Sequence, residues 1–167
     1  MSNIGQIERL TQNRIVKLFK EELGYTYLGN WEDRDNNSNI EEDLLASHLT
    51  SKGYSNAQIK KAIHELRVTA NNPNGCLYDN NKKVYKLLRY GVQVKVEAGE
   101  NYETVQLIDW DNPEGNDFAI AEEVTIKGNR EKRPDIVLYI NGIAISVLEL
   151  KRSTVSLKET TMADSYL

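Results

Sequence analysis

The sequence predicts an α+β (α/β-like) domain with its helices mostly in the N-terminal half and its strands after them. Three observations predict it. Apolar residues recur at helical spacing as far as Leu88, they switch to alternation after Gly91, and two β-rich runs meet at Asn141-Gly142. A change of period from 3.6 to 2 marks the passage from helix to strand. Helices followed by a run of strands belong to α+β architecture.

Taken in order, residues 6–23 carry Ile7, Leu10, Ile15, Leu18, Phe19 and Leu23 at helical spacing, and Gly24 is a natural stop. Residues 25–31 read as a short strand, and the polar stretch 32–39 reads as a loop. A second helix spans roughly 40–51, closed by Gly53. A third begins at Ser55, whose Gln58 three residues on completes a capping box, with Ile59, Ile63 and Leu66 as its apolar stripe. A fourth, near 79–89, turns Val84, Leu87 and Leu88 inward and ends at Gly91. Strands are then expected over 92–96, 104–110 and 118–126, separated by turns at 98–101 and 111–117. Asn-Gly between the last two apolar runs is a strong hairpin signal. The second of those runs, 143–150, is apolar on both alternating faces, as a central strand covered on both sides would be.

The 167 residues suffice for one domain with a real core, and 40% hydrophobic and 28% charged residues are globular values. A net charge of −4 means that bulk electrostatics do not advertise nucleic-acid binding, so any such role needs a local basic patch. Cys76 is the single cysteine, which excludes an internal disulfide and fits a reducing compartment. No apolar run approaches the length of a membrane span, and no secretory signal opens the chain. The expectation is a soluble, cytoplasmic protein with no membrane partner. Neither GxxxxGK[ST] nor GxGxxG occurs, so no nucleotide-binding site is expected.

The chemistry concentrates between Arg133 and Lys151. Pro134-Asp135 opens the hairpin, and Glu149-Leu150-Lys151 closes it. Charges at the end of an apolar strand are costly unless they meet a partner. Metal-dependent phosphodiester hydrolysis needs carboxylate oxygens converging on Mg2+ and a positive group near the attacking water. Glu149 and Lys151, at i and i+2 on a strand, leave the same face while Leu150 points inward, and the Leu150 carbonyl is a further oxygen. The alternative is structural: Asp135 is a turn residue after proline, and Glu149 and Lys151 pair with each other.

Register constrains the first reading. An unbroken two-residue turn at Asn141-Gly142 would pair Asp135 with Leu148, and directly paired residues share a face. Asp135 would then face away from Glu149. Convergence therefore demands an odd offset, through a bulge or a break in the ladder.

Between Lys127 and Lys158 lie Lys127, Arg130, Lys132, Arg133, Lys151, Arg152 and Lys158 against Glu131, Asp135 and Glu149, a local charge of +4. A basic rim around an acidic pocket holds phosphates outside and metal inside. Arg130, Lys132, Arg133 and Arg152 are the candidate DNA contacts. The plainer reading of 127–133 is a solvated loop. His48 and His64 read as helix-surface residues; Glu8, Gln12 and Glu21 are within reach of a site at the sheet edge, with a solvated helix face as the plainer reading. Asp109, Asp111, Asn116 and Asp117 read as turn formers.

Three stretches carry a resemblance: LIDWDNPEGNDFAIAEEVTI at 107–126, KRPDIVLYINGIAI at 132–145 and VLELKRS at 147–153. With YLGNWEDRDNNSNIEEDLL and LYDNNKKVYKLLRYGVQV, it extends over nearly all of 10–157. The chain resembles the N-terminal nuclease region of the R (restriction) subunit of type I restriction-modification enzymes, a PD-(D/E)xK nuclease. The resemblance implies a restriction-endonuclease-like core with a central mixed sheet flanked by helices. It implies a single nuclease domain over 1–167, helical over 1–91, with sheet and site over 92–157 and a polar tail over 158–167. It implies Asp135, Glu149 and Lys151 as catalytic residues. Asp135, Glu149 and the Leu150 carbonyl would be the Mg2+ ligands, and double-stranded DNA the substrate. Methylation and specificity subunits would be partners, and ATP would act only through a motor that this chain lacks. The family's Gln-x-x-x-Tyr support after the active site is also missing, since no glutamine follows Gln106. The alternative is a truncated, catalytically silent DNA- or subunit-binding module.

Overall fold

The computed structural model describes residues 4–97, 99, 101–126 and 132–150, with side chains from residue 9 onward. Helix α1 (Ile4–Lys17) runs into a π-helical turn, Leu18–Glu22, and Gly24 ends it at φ 72°. Its buried face differs from the expected stripe. Gln12 and Val16 are buried with Ile15 and Phe19 beside them, whereas Leu10, Leu18 and Leu23 are exposed. The true face is an i, i+3, i+4, i+7 set whose first member is polar, so apolar spacing alone misplaces it.

Strand β1 (Thr26–Asn30) follows, then helices α2 (Glu42–Ser51), α3 (Asn56–Ala70) and α4 (Leu77–Tyr90). The capping box of α3 is formed: Ser55 N–H donates to Gln58 Oε1 at 2.7 Å, and Gln58 N–H to Ser55 Oγ at 3.3 Å. β2 (Val92–Val94) and β3 (Glu103–Val105) make a separate antiparallel ribbon. The strand expected over 104–110 is confined to its start, because Leu107 and Ile108 leave the ribbon to enter the core. β4 (Phe118–Glu122) likewise stops short of Ile126, where Glu123 at φ 51° turns the chain. β5 (Ile136–Ile140) and β6 (Ile143–Leu148) form the expected hairpin.

The main sheet is mixed and four-stranded, in the order β1-β4-β5-β6, with β1 parallel to β4 and the other pairs antiparallel. One core cluster packs α2 and α3 on the ribbon through Leu45, Leu49, Leu66, Val92 and Val105. A second lies on one face of the main sheet around Trp31, Val137 and Tyr139. The third packs α1 on the other face through Val16, Ile120 and Ile136.

Two sequence expectations are corrected by this arrangement. Among the described residues β6 is an edge strand rather than a central one, with Ile145 and Val147 exposed; β5 is central. Among the described residues, company on its outer side is confined to the start of β6, where Ile40 bridges Ile143 and Ala144 N–H donates to Asn39 O. An all-apolar run thus reports β propensity without reporting two neighbours. Second, His48 is buried, and its Nδ1 lies 2.8 Å from Asp117 Oδ2, whereas His64 is exposed as expected. The partner of His48 comes from a segment 69 residues away, which local spacing does not announce.

The 107–117 segment locks the hairpin turn. Asn141, fully buried at φ 53°, donates to Leu107 O and Asn116 Oδ1, both at 2.9 Å, and accepts from Asp117 N–H at 2.7 Å. Asn116 closes its own loop onto Asp109, through the Asp109 N–H and carbonyl, each at 2.8 Å. Asp109 acts as the turn former expected, accepting Asn112 N–H at 2.9 Å and pairing with Lys52 at 3.0 Å. The Asn112 N–H and then Lys52 hold its carboxyl below the usual carboxylate range. Gly142 at φ 81° is as constrained as its neighbour: an added Cβ would come within 2.7 Å of Glu41 O and Leu44 Cβ.

Candidate functional site

The β5–β6 ladder starts as a two-residue hairpin and does not stay one. Ile140 pairs with Ile143 and Tyr139 with Ala144, but Leu138 pairs with Ser146 and Ile136 with Leu148. Ile145 is the extra residue, a one-residue bulge on β6. Beyond the last pair the chain therefore carries Asp135 and Glu149 out opposite each other, on the face of the Val137–Val147 pair. The odd offset that convergence demands is present. Asp135 Oδ2 accepts the Leu150 N–H, which turns the carboxylate toward the 149–150 segment, while the Leu150 side chain packs on the α1 side of the sheet. Asp135 is half-buried and Glu149 exposed.

Of the basic candidates, Arg133 is bound up in the protein itself. Its Nε lies 3.1 Å from Glu123 Oε2, and its Nη1 contacts Glu32. Lys132 is half-buried, and its backbone bridges Ile126. Lys151, Arg152 and Arg130 lie outside the described residues, as do the polar tail and the side chain of Glu8. Glu21 stands exposed against Lys17 on the helix surface.

Further polar residues surround the same sheet end. Gln12, expected in solvent, is 5% exposed; its Nε2 donates to Glu123 Oε1 at 3.0 Å and to the Asp135 carbonyl at 3.3 Å. That carbonyl also receives the Glu123 N–H at 3.0 Å, so α1 and β4 together hold the backbone of Asp135. Glu122, 4% exposed, faces the α1 side, where Tyr27 Oη donates to it at 2.6 Å and Arg9 lies 3.6 Å away. The signal for these residues was available, since Glu122-Glu123 ends an apolar strand just as Glu149 does.

Burial, and then the bond to Glu122, push the Tyr27 hydroxyl up to about 12 from 10.0. The group is neutral when folded, so its contribution is fully present below pH 10 and is lost as pH rises from 10 toward 12. The urea midpoint of the wild-type chain is expected to fall more steeply over that window than that of Tyr27→Phe. Parallel curves would disprove the coupling.

Among the described residues no group of three or more His, Cys, Asp and Glu side chains is placed to hold a metal. The donors at the sheet end are two carboxylates and a backbone carbonyl. They are hard oxygens, and an ion of the magnesium type takes one or two protein carboxylates and retains several waters. In kind and number the set fits such an ion. Of the other acids at this end, Glu123 is committed to Gln12 and Arg133, and Glu122 to Tyr27 and Arg9.

The sequence has relatives among known proteins. The family model described as the type I restriction enzyme R protein N terminus (HSDR_N) matches residues 6–163. A protein of Methanocaldococcus jannaschii, named as the MjaVIIIP endonuclease subunit of a type I restriction enzyme, is 33% identical over 124 residues. That alignment covers 72% of this chain and 11% of the relative. The HindI type I restriction enzyme endonuclease subunit of Haemophilus influenzae is 36% identical over 81 residues, 46% of this chain and 8% of that protein. The chain thus spans about a tenth of the length of these curated relatives. No helix among the described residues is long and apolar enough to cross a membrane. With the match running through nearly the whole sequence, the chain belongs to the family of type I restriction enzyme R protein N termini.

Proposed function

We propose that this chain is the nuclease domain of a type I restriction enzyme R subunit, hydrolysing phosphodiester bonds of double-stranded DNA with Mg2+. The observation that carries the reading is the one-residue slip in β5–β6, without which Asp135 and Glu149 would leave opposite faces. In this reading Asp135, Glu149 and the Leu150 carbonyl hold the ion, and Lys151, of the same strand parity as Glu149, orients the attacking water. The Leu150 N–H fixes the Asp135 carboxylate in advance, so little ordering cost remains. The bound ion supplies Lewis-acid stabilisation of the phosphoryl oxygens and a more acidic water. The whole of 1–167 acts as one domain in this reading, with duplex DNA and the methylation and specificity subunits as partners.

Plasmid nicking in Mg2+ or Mn2+ tests the proposal. The wild-type chain is expected to nick and chelation to stop it, while Glu149→Ala and Lys151→Ala each lower the rate by about 10²-fold or more. Cleavage that survives both substitutions rejects the assignment. A wild-type chain that binds duplex but never nicks supports the catalytically silent binding module instead.

A further inference from the structure

The outer face of α4 carries an arrangement that the carboxylate site does not use. At about 100° per residue, positions 78, 82, 85, 86 and 89 share one face of roughly 100° of arc. They are Tyr78, Lys82, Tyr85, Lys86 and Arg89, opposite the buried side of Val84, Leu87 and Leu88. Tyr78 and Tyr85 are 70% and 60% exposed, too open to be core residues. The helix holds four cations, Lys82, Lys83, Lys86 and Arg89, against one acid, Asp79. The chain as a whole is at −4.

Lys17, Arg34, Lys52, Arg67 and Arg133 all pair with carboxylates, whereas none of the four on α4 forms an ion pair with a described residue. An aromatic residue from the 107–117 segment extends the face. Trp110 Nε1–H donates to Leu88 O at 2.8 Å, which clamps the half-exposed indole to the end of α4, and the Arg89 guanidinium lies 5.2 Å from its ring centroid. Lys82 lies 5.9 Å from the Tyr78 ring. Such contacts hold cations extended and ready, at a reduced entropy cost on binding.

Lysine, arginine and tyrosine hydroxyls are the groups that contact DNA phosphates. The stripe from Tyr78 to Arg89 is about 16 Å long, over which one strand of a duplex presents about five phosphates. We propose that this face of α4, with Trp110, is a second contact for the backbone of duplex DNA, independent of sequence and separate from the carboxylates. The choice of DNA as the polyanion rests on the nuclease reading.

Fluorescence anisotropy with a labelled duplex of about 30 base pairs, in chelator so that nothing is cut, tests it across a salt series. Three chains are compared: wild type, the triple variant Lys82→Gln/Lys86→Gln/Arg89→Gln, and Asp135→Asn. The substituted side chains on α4 are outside the core, so melting curves should coincide. The triple variant is expected to bind about tenfold or more weakly, with its slope of log K against log salt reduced by about 2–3. Asp135→Asn, which removes no cation, should keep the wild-type salt slope. A triple variant with wild-type affinity and slope overturns the proposal, as does a wild-type chain that binds no duplex. Polyglutamate bound as tightly as duplex, and lost in the triple variant, would assign the face to an acidic protein instead. Duplex binding through α4 in a chain that never nicks would refute the nuclease reading and leave this one standing.

Discussion

Asp135→Asn is expected to abolish magnesium-dependent nicking, with a loss of about 10³-fold, while the fold stays intact. The substitution is chosen for what it keeps. An asparagine oxygen can still accept the Leu150 N–H, so the contact between the start of β5 and the end of β6 survives. What disappears is the negative charge, and a metal-held transition state owes several kcal/mol to such a ligand, which converts to about three orders of magnitude. Titration calorimetry with Mn2+ should show the loss of binding directly, and far-ultraviolet dichroism should be unchanged. A variant that nicks at the wild-type rate would remove Asp135 from the site.

Asn141→Ala is expected to cost about 3–5 kcal/mol of stability, among the largest effects of any single substitution in the domain. Two groups lose their partner, the Leu107 carbonyl and the Asp117 N–H, and the Asn116 side-chain oxygen keeps only the Asp109 N–H. Buried polar groups left without partners cost roughly 1–3 kcal/mol each, offset here where Asp117 can reach water. Alanine at φ 53° adds about 1 kcal/mol more. Melting should fall by roughly 10 °C for a chain of this size. Asn141→Gly separates the contributions, because glycine tolerates the backbone but restores no hydrogen bond; it should recover only about 1 kcal/mol. A loss below about 1 kcal/mol for alanine would show that the network is replaceable by water.

The sequence made the order of elements readable because each carries a local signature: the Ser55 capping box, the stop at Gly91, the Asn-Gly turn. The pairing partners were less readable. That β1 reaches across to lie parallel with β4 depends on contacts about ninety residues apart. The two carboxylates of the proposed site stood out because charges ending apolar strands need a reason. For Gln12 the sequence leaves a reach to the sheet edge and a solvated face both open, since a polar residue on an otherwise apolar helix face looks the same whether it meets water or a strand end. His48 was misjudged for the same reason. The block at 109–117 reads as turn formers and forms its own turn, and its Asn116 also supports a turn twenty-five residues further on.

The bulge at Ile145 also amounts to a counting rule. Positions 136–148, thirteen residues, separate the two acids. A hairpin closed by a two-residue turn has an even number of residues between any two partners, so an odd separation obliges one strand to store a spare. Loss of a single residue between Ala144 and Glu149 would straighten the ladder and still leave the acids facing each other. Loss from β5 would enlarge the mismatch. Length variation among members of the family should therefore fall unequally on the two arms of this hairpin, with single-residue gaps gathered in the arm that holds the spare.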